Sequence, residues 1–240
     1  MEILTFQLYG PLASWGTPAV GESRPSSDHP GRSALLGLLA AALGIKRDDS
    51  AGQQALERSV QFAVKQLTPG RVIRDFHTIQ VPKRDRKAQY ATRKDEMAFS
   101  SDRLNTVISR REYRCDGFWR VGVTTTKSSD WTLQELEAAL RQPQFTLYLG
   151  RKSCPLAAPL SPKIVQSSGF LQALSIDTPL LHEQQKRWLG LSDTVDYYWE
   201  GDAGDLHPQD TRYPEDDVVS RERWQFKGRK EHHARVKETG

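Results

Sequence analysis

The sequence predicts an α+β fold in which short strands and helices alternate along the first two thirds of the chain. Residues 3–9 carry apolar side chains in the mixed pattern of a strand that is buried on at least one face. Residues 33–43 are apolar around most of a helix, and residues 133–140 place leucines at helical spacing. With the strand-like segments between them, this order predicts a ferredoxin-like β-α-β-β-α-β unit, the RRM-like layout of many RNA-binding sheets, with one helical segment divided.

A long loop joins the first strand to the first helix. Gly10-Pro11 ends the strand, and residues 24–31 form a loop by composition, with two prolines, two serines and a glycine. A loop of this length suggests a functional role rather than a simple connection. Ser33 is predicted to cap the helix and Gly44 to end it.

The next segment is predicted to form a short helix and a hairpin. Residues 52–58 are helical in pattern, and residues 60–67 alternate as a strand. Thr68-Pro69-Gly70 is a turn by composition, so residues 72–81 are expected to form the second strand of a hairpin with residues 60–67.

A basic insertion at about residues 82–110 interrupts the regular pattern, and we interpret it as a protruding β-hairpin carried by flanking strands. Strand character resumes over residues 110–126. Thr132 and Glu135 have the spacing of a capping box at the start of the second amphipathic helix. Residues 144–149 are then strand-like again.

Two regions are predicted, a main domain over residues 1–165 and an irregular C-terminal extension over residues 166–240. In the extension we expect short helices at residues 170–176 and 183–191 and a strand at residues 221–226. The acidic span 193–217 is expected to be a surface excursion, and residues 227–240 a frayed basic tail.

Composition limits the possible classes of protein. The 240 residues are 37% hydrophobic and 27% charged, enough apolar content for a folded core with long exposed segments. The two cysteines are too few for a disulfide framework and lack the spacing of metal ligands, which favours a reducing cytoplasm. Neither a signal segment nor an apolar run of membrane-spanning length is evident, so a cytoplasmic protein without membrane contact is expected.

The charge is distributed unevenly, although the net charge is only +4. Residues 71–114 contain twelve basic and six acidic residues, a net charge of +6. Residues 193–217 contain nine acidic residues and one arginine, a net charge of −8. The first region therefore suits a polyanion, and the second repels one.

A set of motifs in fixed order resembles one protein family. These motifs include Gly10-Pro11 with Trp15-Gly16, Arg24-Pro25-Ser26, Gly31-Arg32-Ser33, Gly44-Ile45, Ser59-Val60-Gln61-Phe62, Asp75-Phe76-His77-Thr78, Arg111-Glu112-Tyr113 and Tyr148-Leu149-Gly150-Arg151-Lys152-Ser153-Cys154-Pro155. In this order they are similar to those of the CasD subunits of the type I-E CRISPR surveillance complex Cascade, which belong to the RAMP superfamily. The resemblance covers roughly residues 1–165.

The resemblance implies a ferredoxin-like RAMP domain whose thumb hairpin clamps the 5′ handle of a guide RNA, the crRNA. Such a subunit caps the filament of backbone subunits and docks the large subunit, so other Cascade subunits are expected partners. Target DNA is contacted through the assembled ribonucleoprotein in antiviral defence. In this subtype a separate endoribonuclease makes the guide, which implies a non-catalytic binding subunit without a cofactor.

The candidate RNA-binding residues lie in the opening loop, the basic insertion and a glycine-rich loop. Cations can neutralise phosphates, and aromatic rings can stack on unpaired bases. Arg32-Ser33 adds the free N–H groups of a helix start, which favour a phosphate. The predicted residues are Arg24, Arg32, Ser33, Lys83, Arg84, Arg86, Lys87, Tyr90, Arg93, Lys94, Arg103, Arg110, Arg111, Gly150, Arg151, Lys152 and Ser153.

Several of these assignments have simpler structural alternatives. The insertion could be a solvated charged loop, and Arg32 could form only a surface salt bridge. Trp15 either packs over the core, which is the commoner role of a lone tryptophan, or offers its ring to a base or a neighbouring subunit. Cys154 is expected to be a small buried hydrophobe rather than a nucleophile.

Two other functions remain open from the sequence. A metal-independent endoribonuclease that processes CRISPR repeat RNA would need a general acid and base, for which His29 and His77 are the candidates in the main domain. A structural, hydrogen-bonded role is the simpler interpretation of each. A protein-interaction scaffold could instead use the acidic span 193–217. His232-His233 has no third ligand nearby, so no metal site is predicted.

Overall fold

The structure is a computed structural model that describes residues 1–83, 89–99, 101–176, 187–220, 223 and 225–237 of the chain. Within these ranges no helix is long and apolar enough to cross a membrane. The helices are α1 (Arg32–Leu43), α2 (Ser50–Ser59), α3 (Arg93–Glu96), α4 (Leu133–Arg141) and α5 (Phe170–Ser175). The strands are β1 (Glu2–Tyr9), β2 (Leu12–Ala13), β3 (Ser23–Arg24), β4 (Val60–Thr68), β5 (Arg71–Pro82), β6 (Leu104–Cys115), β7 (Phe118–Thr125), β8 (Lys163–Gln166), β9 (Thr194–Trp199), β10 (Asp210–Arg212), β11 (Asp217–Ser220), β12 (Gln225–Lys227) and β13 (Glu231–Lys237).

The main sheet has the strand order β10-β13-β9-β4-β7-β1-β8, and all neighbouring strands in it are antiparallel. Its centre comes from the predicted first strand and its partners, with Leu4 opposite Val123 and Phe62 also opposite Val123 on the other side. Along the chain, α1 and α2 connect β1 to β4, and α4 lies between β7 and β8. The predicted α+β class is confirmed.

Helices cover both faces of this sheet because β1, β4 and β9 carry apolar side chains on both sides. On one face, Leu4 and Phe6 pack with leucines of α1 and α4, including Leu39 and Leu136. On the other face, Ile3 packs with apolar residues of α5 and β9. The sheet is thus the middle layer of the fold, which keeps the ends of its strands in fixed positions.

Helix termini were predicted with mixed success. Thr132 and Glu135 form the expected capping box of α4, with Glu135 N–H donating to Thr132 Oγ1 at 3.2 Å. Gly44 ends α1 in the left-handed conformation, as predicted. Ser33 was expected to cap α1, but the N-cap residue is Gly31 and the helix begins at Arg32.

Two predicted strand assignments are wrong. β5 does not form a hairpin with β4; it pairs with β6, from Arg71 opposite Cys115 to Pro82 opposite Leu104. β4 pairs instead with β7 and β9 inside the main sheet. Residues 144–149 do not form a strand, although Tyr148 makes an isolated bridge to Pro155, and the edge strand next to β1 is β8.

The C-terminal extension is not irregular, because it supplies β9, β10 and β13 to the main sheet. The acidic span is therefore not only a surface excursion: β9 lies within it and pairs with β4 and β13. The predicted basic tail forms β13, where His233 Nε2 lies 2.8 Å from Asp196 Oδ1. The short helix near residue 170 is confirmed as α5. The predicted helix 183–191 and strand 221–226 fall partly outside the described residues.

Candidate nucleic-acid interface

The most prominent feature of the structure is the ribbon formed by β5 and β6. No residue of β5 is buried, so this strand is accessible along its whole length. In β6 only Tyr113 is buried, near the end that joins the core. β5 begins before the basic insertion predicted from the sequence and β6 ends after it, so the insertion includes the first part of β6 as well as residues beyond the two strands. Several of its predicted cations, including Arg110 and Arg111, lie on β6 itself.

The loop after β1 packs against the base of this ribbon. β2 pairs with β6 at Cys115 and Arg114, and β3 runs parallel to β6 with Arg24 beside Arg111. Arg24 Nη1 donates to the carbonyl oxygen of Gly21 at 2.6 Å, which holds its guanidinium at the loop. The structure therefore places Arg24 beside Arg111, which the charge pattern alone could not show, whereas Arg110 projects from the opposite face of β6.

Further hydrogen bonds fix the loop to β6. Ser14 Oγ donates to the carbonyl oxygen of Glu112 at 3.2 Å. The Arg114 guanidinium donates to the carbonyl oxygens of Ser27 at 3.0 Å and Ser26 at 3.2 Å. Arg114 is thus a structural cation that joins the loop to the ribbon.

The glycine-rich loop at residues 150–153 lies against the same loop. Gly150 has a φ of 83°, and a Cβ atom there would overlap the carbonyl oxygen of Ser14. Glycine is required at this position because L side chains rarely adopt this conformation and because the two backbones approach closely. Ser14 N–H donates to the carbonyl oxygen of Leu149 at 3.0 Å. This contact brings two of the predicted segments together.

Arg151 extends from this loop towards the ribbon. Its guanidinium lies over the Tyr113 ring, 5.1 Å from the centroid, and Nη1 donates to the Tyr113 hydroxyl at 3.3 Å. Lys152 and Ser153 are exposed beside it. Three sequence segments therefore converge at the base of the ribbon: the opening loop, β6 and residues 150–153. Tyr113 was not singled out as a site residue from the sequence, although it is the contact that orients Arg151.

The far end of the ribbon carries the remaining predicted cations and rings. Lys83 N–H donates to the carbonyl oxygen of Arg103 at 2.9 Å, which closes the ribbon. Tyr90 and Phe99 pack edge to face with centroids 5.9 Å apart, and Arg103 lies 5.6 Å from the Phe99 centroid.

Arg93 is half exposed and pairs with Glu96, while Lys94 is exposed on α3. The predicted residues Arg84, Arg86 and Lys87 lie outside the described part of the chain.

Arg32 and Ser33 do not form the predicted phosphate anchor. The Arg32 side chain is largely buried and pairs with Glu200 and Asp217. Its backbone N–H donates to Asp216 Oδ2 at 2.6 Å, so a carboxylate of the same chain already occupies this helix start. The prediction failed because these acids lie more than 160 residues away in the sequence. Both residues are therefore left out of the candidate interface.

Trp15 is a core residue. Its side chain is 2% exposed and packs edge to face against Trp119, with centroids 5.2 Å apart. The packing role is correct, and a stacking or interface role for this ring is excluded by its burial. Cys154 is likewise buried, and burial raises the pKa of its thiol, as expected of a small hydrophobe.

The two candidate catalytic histidines differ in environment. His29 is buried, with Nδ1 2.6 Å from Asp28 Oδ1 and Nε2 3.2 Å from Glu231 Oε1, and its ring stacks on Tyr198. This arrangement contradicts a role in RNA cleavage, because both ring nitrogens are engaged inside the protein. His77 is partly exposed on β5, with Nε2 2.6 Å from Asp75 Oδ2. Among the described residues, no group of three or more His, Cys, Asp or Glu is placed to hold a metal ion.

Comparisons with known proteins agree with this architecture. Solved structures titled "CRISPR RNA-guided surveillance complex" and "Crystal structure of Cas protein" superpose with TM-scores of 0.66 and 0.64. Each covers 98% of this chain at 23% identity, and the match covers 89% and 95% of the respective structures. At this identity, the likeness concerns the fold.

Sequence comparison identifies the family. "CRISPR system Cascade subunit CasD" from Escherichia coli (strain K12) is 40% identical over 179 residues, which are 71% of this chain and 75% of that protein. A model of the family described as "CRISPR-associated protein (Cas_Cas5)" matches residues 3–232. These matches agree with the motifs found in the sequence, and the chain belongs to the CRISPR-associated Cas5 family.

Proposed function

We propose that this chain is a non-catalytic RNA-binding subunit of a CRISPR surveillance complex of the Cascade type, active in the cytoplasm. In this proposal it clamps the 5′ handle of the guide RNA, caps the filament of backbone subunits and docks the large subunit. Target DNA is engaged through the assembled complex. Support comes from the Cas5 family match and from a relative named as a Cascade subunit.

The observation that carries the RNA-binding proposal is the convergence of three polar segments at one end of an exposed ribbon. β3, β6 and residues 150–153 bring Arg24, Arg111 and Arg151 to one face at the base of the ribbon, and Arg110 lies next to Arg111 on the other face. Clustered guanidinium groups suit the closely spaced phosphates of a bent single strand. In the proposal, the β5–β6 ribbon is the thumb, and Lys83, Arg93, Lys94 and Arg103 extend the basic surface to its far end.

The fold is compatible with a RAMP domain. The strands β4-β7-β1-β8 are antiparallel neighbours, and the helices α1 and α4 connect β1 to β4 and β7 to β8. This strand order supports a ferredoxin-like unit in which the ribbon is an insertion between β4 and β7. We infer that residues 1–165 form this unit and that residues 166–240 extend its sheet.

The salt dependence of RNA binding tests the thumb assignment. The variant K83A/R84A/R86A/K87A removes four cations of the basic insertion, and binding of RNA that carries the guide's 5′ handle is measured over a range of salt concentrations. We expect weaker binding and a log–log salt slope that is smaller by about 0.7 for each phosphate that the variant no longer neutralises. An unchanged slope would contradict the assignment.

A matched control removes four exposed cations from other parts of the chain: Lys46, Arg58, Lys127 and Lys163. This variant, K46A/R58A/K127A/K163A, has the same change in net charge, and its change in salt slope is expected to be less than about half that of the thumb variant. Electrophoresis of CRISPR repeat RNA after incubation with the wild-type protein in EDTA tests the absence of catalysis. Intact RNA is expected, whereas cleavage abolished by His77→Ala would support the endoribonuclease alternative.

A further inference from the structure

We propose that Phe76 is a stacking platform for an unpaired base of the bound RNA, an inference that rests on the proposed function. Phe76 lies in the middle of β5 and is 57% exposed. A ring so exposed on a regular strand contributes little to folding, since its apolar surface remains in water. Phe76 lies away from the far end of the ribbon, where Tyr90 and Phe99 pack against each other.

The neighbours of Phe76 are cations. Arg110 lies directly opposite on β6, and directly opposite residues of antiparallel strands project from the same face. Arg74, two residues earlier on β5, also shares this face. Arg74 pairs with Glu112 at 2.8 Å and Arg110 with Glu22 at 3.1 Å. Their side chains remain 65% and 50% exposed, so both guanidinium groups are accessible to a phosphate.

The other described rings of the ribbon are less available. Tyr113 is buried, and Tyr90 and Phe99 pack against each other. The opposite face of the ribbon carries Arg111 near its base, but its large exposed hydrophobic side chains, Ile73, Ile79 and Val107, are aliphatic. An exposed ring between two arginines matches the chemistry of single-stranded nucleic-acid sites, in which bases stack on aromatic faces while cations follow the backbone. We therefore assign the Phe76 face to RNA.

The sequence contains a signal for this site. Val72, Arg74 and Phe76 lie at every second position of β5. Side chains at this spacing project from the same face of a strand, so the Phe76 ring lies beside Arg74. The pairing with Arg110 depends on the register between β5 and β6, which the sequence did not reveal.

The test uses single-stranded RNA of the guide's 5′ handle with 2-aminopurine at successive positions, bound to the full chain. Stacking on a ring quenches this fluorophore. Phe76→Leu keeps apolar bulk and removes the ring. This substitution should weaken RNA binding by a factor between about 5 and about 150 and restore the fluorescence of 2-aminopurine at one position. Phe76→Trp should keep the affinity and the quenching. Val72→Ala, an exposed site on the same face, is the matched control and should behave as wild type.

The outcomes separate this inference from the proposed function. If wild-type protein binds the RNA and Phe76→Leu binds with equal affinity and quenching, the stacking site is wrong while the proposed function stands. If wild-type protein does not bind this RNA, the proposed function is wrong, and the stacking site that rests on it is wrong as well. If Phe76→Leu changes only association with other subunits and leaves RNA binding intact, the ring belongs to a protein interface and the inference is overturned.

Discussion

At the residue scale, His29 links the opening loop to β13 through its contact with the Glu231 carboxylate. Burial alone would lower the pKa of this histidine, but hydrogen bonds to the carboxylates of Asp28 and Glu231 raise it above its ordinary value. Burial also raises the pKa of Glu200 to about 7, although Arg32 and Arg229 beside it oppose the shift. Groups from both ends of the chain thus share one largely buried network of charges.

The raised pKa of His29 predicts how stability depends on pH. In the unfolded chain a histidine titrates near 6.5, so the stabilisation from protonated His29 is fully present below about pH 6.5. It is lost as pH rises through the higher folded-state pKa. Glu200 acts in the same direction between its ordinary range and about pH 7, because its carboxyl binds a proton more tightly when folded.

Urea unfolding of wild type and His29→Gln from about pH 5.5 to about 8.5 checks this prediction. The unfolding free energy of wild type should fall as pH rises above about 6.5, and the variant should show a flatter dependence. His207→Gln, at an exposed histidine, should keep the wild-type dependence. Parallel curves for wild type and His29→Gln would show that this histidine does not carry the dependence.

At the element scale, β9 shows why the acidic span was misjudged from the sequence. The span was treated as a block of charge, yet residues 195–199 are apolar or aromatic apart from Asp196. All five are buried, and Asp196 pairs with Arg235 and His233 of β13. A buried carboxylate that is hydrogen-bonded to an arginine and a histidine is compatible with a central strand. Those partners lie almost 40 residues later, so composition could not reveal them.

Other elements could be predicted because their signals are local. The capping box of α4 and the glycine that ends α1 each depend on neighbouring residues. The pairing of β5 was wrong because the turn at residues 68–70 favoured β4, whereas the true partner begins 22 residues after β5 ends. A turn signal predicts pairing between adjacent segments, so it could not reveal a partner that lies beyond an insertion.

Two tyrosines in the acidic span test the structural role of β9. Tyr197 is fully buried in β9, whereas Tyr213 is 71% exposed. Tyr197→Ala should lower the unfolding free energy by about 3–5 kcal/mol, because it leaves a cavity at the sheet. Tyr213→Ala should change it by less than about 0.5 kcal/mol. Urea unfolding measures both, and equal effects would contradict the buried position of β9.

At the scale of the whole molecule, the candidate interface is an arrangement of segments that lie far apart in the sequence. The motifs identified the opening loop, the basic insertion and residues 150–153 individually. These segments meet at the base of the ribbon through Ser14. The Ser14 hydroxyl donates to the carbonyl oxygen of Glu112, and the Ser14 backbone packs closely against Gly150. The charge pattern identified the cations but could not separate Arg24 at the interface from Arg32 in the buried network.

The central claim is that guide RNA lies on the ribbon and the loops at its base. Photo-crosslinking of the chain to guide RNA, followed by mass spectrometry of the crosslinked peptides, tests it most directly. We expect crosslinks within residues 71–115 and 150–153, and fewer of them in the K83A/R84A/R86A/K87A variant. Crosslinks confined to residues 187–237, with none on the ribbon, would contradict it.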